Sequence, residues 1–286
     1  MQTKKLKSWF EIPTLGIWTW KIGGDFEADF SKDKEYVKEI RRALDSWITL
    51  IDTAEMYGKG HVEEVVGQAI KGYDRSKLFI TSKVFKTNLH YDDVIKAAEK
   101  SLERLWTDYL DLYLIHSPNP DIEMKETIDA LNYLFDKWII KNIWVSNFTK
   151  ERLELAQSMS KAKIVLNQCH YNLIYREPEL SELNTYCIEN DIIMQAWRPV
   201  QFGEIISNNI EIMDTLAKKY WKTYSQIAIN WLISQENITT ITKMSKQEHI
   251  DENINALWWE MDKEDIESLR KNYPDQIEKS DRVPLK

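Results

Sequence analysis

The chain has 286 residues, 43% hydrophobic and 29% charged, with a formal net charge of −8 from 38 basic and 46 acidic side chains. That is enough for one barrel-sized domain or two average ones, each with a sizeable core. No Lys/Arg-rich block offers the footprint of a nucleic-acid partner, no run approaches the roughly 18 apolar residues of a membrane-spanning helix, and Cys169 and Cys187 alone make neither a disulfide framework nor a metal site.

In chain order, the N-terminus MQTKKLKSWFEIP is basic but lacks the apolar stretch of a secretory signal. A cytoplasmic protein, monomeric by default, is the expectation. Residues 8–13 read as a small β-hairpin. Short β-branched runs follow at 14–20, 48–54, 78–85, 109–116, 140–148, 163–171, 191–200 and 237–243. Each ends in a polar residue and gives way to a stretch of helical period. Val37, Ile40, Leu44 and Trp47 share one face, as do Val94, Ala98, Leu102 and Leu105, then Met124, Ile128, Leu131 and Leu134, then Leu153, Ala156 and Met159. Ser245 with Glu248 reads as a capping box opening the last barrel helix, and 258–286 as an extra helix and tail. Eight alternating units in about 250 residues predict an α/β fold, a single-domain (β/α)8 TIM barrel over 1–286. The G-x-G-x-x-G of an open dinucleotide fold does not follow the first run.

The strand ends are unusually polar, and in such a barrel they build the active site. Asp52 ends the second run, with Tyr57 five residues on; Lys83 ends the third, His116 the fourth, Ser146 and Asn147 the fifth, Gln168 the sixth, Trp197 and Arg198 the seventh, and Lys243 the eighth. A phenol of pKa about 10 is a poor acid at neutral pH, and a nearby ammonium is expected to lower that value. Asp52 would keep Lys83 charged, and His116 would hydrogen-bond a substrate oxygen. Such a set protonates an alkoxide forming on a carbonyl, and its hydride must come from a cofactor. Singly, each residue has an ordinary structural reading: a packed core histidine, a half-buried ion pair, an asparagine capping the next helix. Their arrival on successive strands of one rim favours a catalytic site.

The segments IDTAEMYGKGHVEEVVGQAI, LFITSKVF, DLYLIHSPNP, VSNF, LNQCHYN and ITKMSKQEHIDEN resemble, in order and spacing, the motifs of the aldo-keto reductases. The resemblance runs from about residue 8 to 274. It implies reduction of small aldehydes or ketones with NADPH, NADH being the alternative, with no Rossmann domain. By position it implies Tyr57 as general acid with Asp52, Lys83 and His116. Ser146, Asn147 and Gln168 would hold the nicotinamide carboxamide and Trp197 would stack on its ring. Thr19, Asp52 and Arg198 with its loop to 204 would lie along ribose and pyrophosphate. Lys243 would meet the 2′-phosphate, where His249 replaces a usual Arg, and Glu252 and Asn253 the adenine. Trp20 and Ser117 would line the substrate side, with short loops after the fourth and seventh runs leaving the pocket open.

One departure is systematic. At the usual 7% a chain of this length holds about 20 glycines; this one has 8, against 12 tryptophans. The resemblance puts glycine where this chain has Trp9, Trp18, Trp47, Trp106, Trp138, Trp144, Trp221 and Trp258. Several are loop or helix-end positions that favour φ > 0, where a bulky side chain costs roughly 1–2 kcal/mol. Eight such costs rival a typical stability of about 5–15 kcal/mol. Either the backbone has adjusted, or the sequence is an altered form of a glycine-bearing parent, the reading adopted here. Trp18 and Trp144 bear on function directly, one beside the cofactor strand end and one in or just under the pocket. They motivate an alternative, a catalytically impaired barrel with a binding or regulatory role. A Schiff-base lyase using Lys83 is a third, disfavoured because Asp52 keeps that amine protonated.

Overall fold

The computed structural model describes residues 2–207, 210–274 and 276–285. Strands β1 (Thr3–Lys5) and β2 (Glu11–Pro13) form an antiparallel hairpin. Then follow β3 (Leu15–Trp18), α1 (Asp33–Asp45), β4 (Leu50–Asp52), α2 (His61–Ile70), β5 (Phe79–Val84), α3 (Tyr91–Leu105), β6 (Leu112–Ile115), α4 (Met124–Asp136), β7 (Ile143–Ser146), α5 (Lys150–Met159) and β8 (Ile164–His170). The remainder is α6 (Glu177–Leu180), α7 (Leu183–Glu189), β9 (Ile193–Trp197), α8 (Glu204–Ser207), α9 (Glu211–Tyr220), α10 (Tyr224–Ile233), β10 (Ile238–Thr242), α11 (Gln247–Ile254) and α12 (Lys263–Asn272). Strands β3 to β10 close in order into a parallel barrel, β10 returning to pair with β3. The eight β-branched runs are these eight strands.

Strand alternation sorts side chains into two cores. On β5, Thr81 and Lys83 turn inward to Asp52, while Ile80 and Val84 join the outer core beneath the helices. The inner core holds Leu50, Leu112, Leu114, Trp144, Leu166, Ile193 and Ile241. Leu6 and Ile12 of the hairpin belong to the same cluster, so the hairpin plugs the bottom of the barrel. It begins at Thr3, ahead of the expected residue 8, because TKK carries no apolar signal. The β7–β8 register is irregular: Ile143 faces Ile164 but Val145 faces Asn167, so Trp144 sits at a bulge.

Four helices share one ending. The N–H of Ile48 bonds Ala43 O at 3.0 Å, Thr107 bonds Leu102 O at 3.2 Å, Ile139 bonds Leu134 O at 3.0 Å and Lys222 bonds Ala217 O at 3.1 Å. This six-residue closure requires a left-handed residue just before the donor, a position usually held by glycine. Here it is held by Trp47, Trp106, Trp138 and Trp221, with φ of 70°, 51°, 59° and 55°. Trp47 is therefore not on the buried face of α1 but beyond its end and exposed. After α7 the same closure uses Asp191 (φ 56°), with Ile192 N–H on Cys187 O at 2.8 Å. The expected Ser245/Glu248 box is absent, since α11 starts after Lys246 without a side-chain cap. A capping box forms instead at α10, where Thr223 and Gln226 exchange hydrogen bonds.

Candidate active site

Asp52 ends β4 and Lys83 lies near the end of the adjacent β5, both fully enclosed. A buried ammonium must be paired and hydrogen-bonded to persist. Lys83 Nζ pairs with Asp52 Oδ1 and donates to Thr53 O at 2.8 Å and to the Tyr57 hydroxyl at 3.4 Å. Asp52 Oδ2 accepts from Thr81 Oγ1 at 3.1 Å and from Gln168 Nε2 at 3.0 Å. Tyr57 opens a single turn of 3-10 helix, Tyr57–Gly60, that places its ring over the strand ends. Gly58 in that turn has φ 54°, and a Cβ there would lie 2.8 Å from Gly23 O. His116 follows β6, its ring meeting Tyr57 edge to face at 5.6 Å. The four predicted residues therefore converge.

Their ionisation differs from expectation at one point. Burial, and then the charge of Asp52, push the Tyr57 phenol well above its usual range; Lys83 does not pull it down. The ammonium is neutralised by Asp52 in direct contact, so the phenol faces an ion pair and not a free cation. Burial lowers the Lys83 ammonium, opposed by Asp52. Burial, reinforced by Lys83, holds His116 well below the usual imidazole range, so the ring is neutral at pH 7. The Tyr57 oxygen accepts from Lys83 and from Trp18 Nε1 at 3.2 Å, which leaves its own O–H to donate.

Around this cluster lies a cavity of about 470 Å³ lined by Trp20, Tyr57, His116, Ser117, Ser146, Asn147, Gln168, Trp197 and Arg198 among others. Ser146 Oγ donates to Gln168 O at 3.0 Å, Asn147 Nδ2 to Ser146 Oγ at 2.8 Å, and Trp197 Nε1 to Asn147 Oδ1 at 3.4 Å. A second cavity, of about 410 Å³, carries Lys243, His249, Glu252 and Asn253. Trp18, Trp20, Lys21, Arg198 and Phe202 wall both. Burial and the neighbouring Lys21 lower the Lys243 ammonium, against Glu39; Lys21 itself pairs with Asp25 at 3.3 Å. Thr19 and Asp52 line neither cavity: the Thr19 hydroxyl donates to Asp52 O at 2.9 Å beneath the floor. Trp144 is buried below the pocket and not in it.

Other residues of the site were not foreseen. His170 is sandwiched between Trp197 (4.2 Å, 13°) and Tyr175 (4.2 Å, 24°) and bonds Ser280 Oγ at 2.8 Å. Burial brings its pKa down to about 4. Two residues past Gln168 on the same strand, it faces the same side, a periodicity that could have found it. Phe26, Met56 and Phe85 line the first cavity, as do Arg282 and Val283 from the tail. Arg198 (φ 60°) lies over Phe202 at 4.0 Å.

The donor set fits a nicotinamide dinucleotide: carboxamide partners, an aromatic platform backed by His170, and Lys243 at the far end. One group stands in the way. The Trp18 ring lies 6.4 Å from Trp197 at 43° and lines the same cavity.

The model of the Aldo/keto reductase family matches residues 14–273. A glyoxal reductase of Bacillus subtilis is 35% identical, covering 98% of this chain and 94% of the relative. A methylglyoxal reductase of Escherichia coli is 32% identical, covering 92% of each. Among solved structures, a thermostable aldo-keto reductase in complex with the inhibitor epalrestat superposes with a TM-score of 0.92 at 39% identity, covering 95% of this chain and 99% of the other. An aldo-keto reductase of Klebsiella pneumoniae in complex with NADPH gives a TM-score of 0.86 at 29% identity over the whole of both chains.

Proposed function

The chain belongs to the aldo/keto reductase family, and from that premise we propose that it reduces small aldehydes and ketones with NADPH, dicarbonyls such as glyoxal and methylglyoxal foremost. The observation that carries the reading is the buried Asp52–Lys83–Tyr57 chain opening, beside neutral His116, onto a cavity. Ser146, Asn147 and Gln168 would hold the carboxamide, Trp197 the ring face, Arg198 the pyrophosphate, Glu252 and Asn253 the adenine, and Lys243 with Lys21 the 2′-phosphate. A reduced nicotinamide bound there supplies the hydride.

This chain's residues supply the rest. Tyr57 gives its proton to the carbonyl oxygen as negative charge develops there. Lys83 and the Trp18 indole keep their hydrogen bonds to that oxygen once the proton has left, and solvent returns the proton. His116, neutral, gives an N–H to the same oxygen and orients the carbonyl. Trp20 and Ser117 bound the substrate. On this reading the protein works as a monomer in a reducing cytoplasm, which suits two buried free cysteines.

The test is steady-state reduction of glyoxal and methylglyoxal with NADPH and NADH, alongside Tyr57→Phe. Loss of the acid should lower kcat by about 10²–10⁴, with NADPH still quenching tryptophan fluorescence. Turnover unchanged in Tyr57→Phe would sink the assignment of the acid. A folded protein that binds neither cofactor would favour the alternative, a barrel serving as a binding or regulatory protein, for which the Trp18 ring in the same cavity as Trp197 is the supporting observation.

A further inference from the structure

We infer that Trp9, Trp18, Trp47, Trp106, Trp138, Trp144, Trp221 and Trp258 are glycine in the protein as its own cell makes it, each encoded by UGA, whereas Trp20, Trp197, Trp231 and Trp259 are tryptophan. The inference does not depend on the carbonyl-reductase reading.

Backbone geometry divides the twelve tryptophans, all of them described. Trp9, Trp47, Trp106, Trp138, Trp221 and Trp258 have φ between 51° and 71° and are 59–93% exposed. The other six have neither property. A bulky side chain at positive φ is a rare outlier in any protein, and here half of one residue type occupies that region. Four of the six hold the glycine position of the same helix closure. Trp9 holds the corresponding place in the hairpin: its N–H bonds Leu6 O at 3.0 Å and Leu6 N–H bonds Phe10 O at 2.8 Å, a tight turn followed by a left-handed residue.

Trp18 and Trp144 stand apart on different observations. Trp144 is fully buried on β7 opposite the extra residue of the β8 bulge, and its indole N–H has no partner. Trp259 also has an unpartnered indole N–H, so position at the bulge, not the orphaned group, separates the two. Trp18 stands between the two cavities and walls both, so it is assigned by what its ring divides and not by its contacts, a hydrogen bond to the Tyr57 hydroxyl and the neighbouring Trp197 ring. The four retained tryptophans have ring partners or a bonded N–H: Trp20 meets Tyr57 at 4.8 Å, Trp197 stacks on His170, Trp259 lies 5.0 Å from Tyr220, and Trp231 donates to Ile266 O at 3.2 Å.

A coding origin accounts for the uniformity. Selection filling left-handed positions uses Asn, Asp and other small or flexible polar residues, as at Lys21, Asn147 and Asp191 here. Arg198 (φ 60°) and Phe202 (φ 53°) are bulky residues there too, but six of the twelve tryptophans, with Phe202 the only other aromatic ring among the described residues, is the concentration that a single reassigned codon produces. UGA is the codon that genetic codes read variously as stop, tryptophan or glycine. The exchange would also bring glycine from 8 residues toward the roughly 20 that the length implies. At the site, glycine at 18 removes one of the five side chains that wall both cavities and the ring nearest Trp197 on that strand end.

Peptide mass spectrometry of the protein from its native cells decides the matter, with the gene's codons beside it. Glycine at the eight positions and tryptophan at the four, matched by UGA and UGG, is the expected result. Tryptophan in native peptides at those eight, or UGG codons there, overturns it. A recombinant chain carrying all eight Trp→Gly exchanges should unfold at higher temperature and bind NADPH more tightly than the tryptophan form. If native peptides show glycine and that folded chain still binds no NADPH, the inference stands and the reductase reading fails.

Discussion

At the cavity rim, left-handed backbone includes Lys21, Asn147, Arg198 and Phe202, whose side chains line the cavity. At the opposite end, where helices turn back into strands, it belongs to Trp47, Trp106, Trp138 and Trp221, whose rings face water. Strain at the rim has a use, since it aims polar groups at one point. Strain at these four tryptophans aims nothing, and the contacts it gains are slight: Lys71 lies 5.6 Å over Trp106, an exposed cation–π contact worth about 0.5–1 kcal/mol. Backbone strain thus marks function only where the side chain it presents has something to touch.

The comparison can be broken most forcefully at the rim. Lys83→Met leaves Asp52 charged and unpaired in the barrel interior, and should cost about 3–5 kcal/mol in urea unfolding. A loss under about 1 kcal/mol would mean that the pair is not the structural centre of the site. Asp191 tests the far end, where left-handed backbone does have a use. Burial raises its carboxyl pKa, but the N–H groups of Lys7 and Ser8 and the Lys163 ammonium outweigh this and hold it at about 2. A depressed carboxylate stabilises the fold above its unfolded pKa. Asp191→Asn should therefore cost about 2 kcal/mol at pH 7, a difference that fades as pH falls from about 4 to about 2. A pH-independent difference would point to shape and not charge.

Smaller effects sharpen the contrast. Trp138→Gly and Trp221→Gly should each stabilise by roughly 1–2 kcal/mol, read as a raised Tm, because each relieves a left-handed side chain. Gly72, at φ 93° past α2 with open space around it, is the converse: Gly72→Ala should destabilise by about 1 kcal/mol through backbone alone. If the tryptophan exchanges destabilise instead, the exposed rings contribute contacts that the geometry does not reveal.

Much of this was legible in the sequence for a physical reason. Parallel barrel strands are apolar runs closed by polar residues, so β4 to β6 and the residues Asp52, Lys83 and His116 declare themselves together. Strand β1 did not, since TKK has no buried face to encode. The capping box at 245–248 matched a pattern that a competing cap-free start overrode, while the Thr223–Gln226 box was realised. The direction of the Tyr57 shift needed distances: only contact between Lys83 and Asp52 reveals that the ammonium is already neutralised. His170 and the tail were invisible because their importance lies in what they brace, across more than a hundred residues of chain.

The plug at the barrel floor has a consequence in time. Lys7 and Ser8 dock on Asp191, and Lys4 Nζ on Gln235 O at 2.7 Å, so these contacts of the hairpin cannot form until the chain has passed residue 235. At a synthesis rate of about 5–20 residues per second, Leu6 and Ile12 wait roughly 10–50 s for their seat. Through that interval the hairpin that plugs the base has no seat, although it precedes the first strand of the wall it fits.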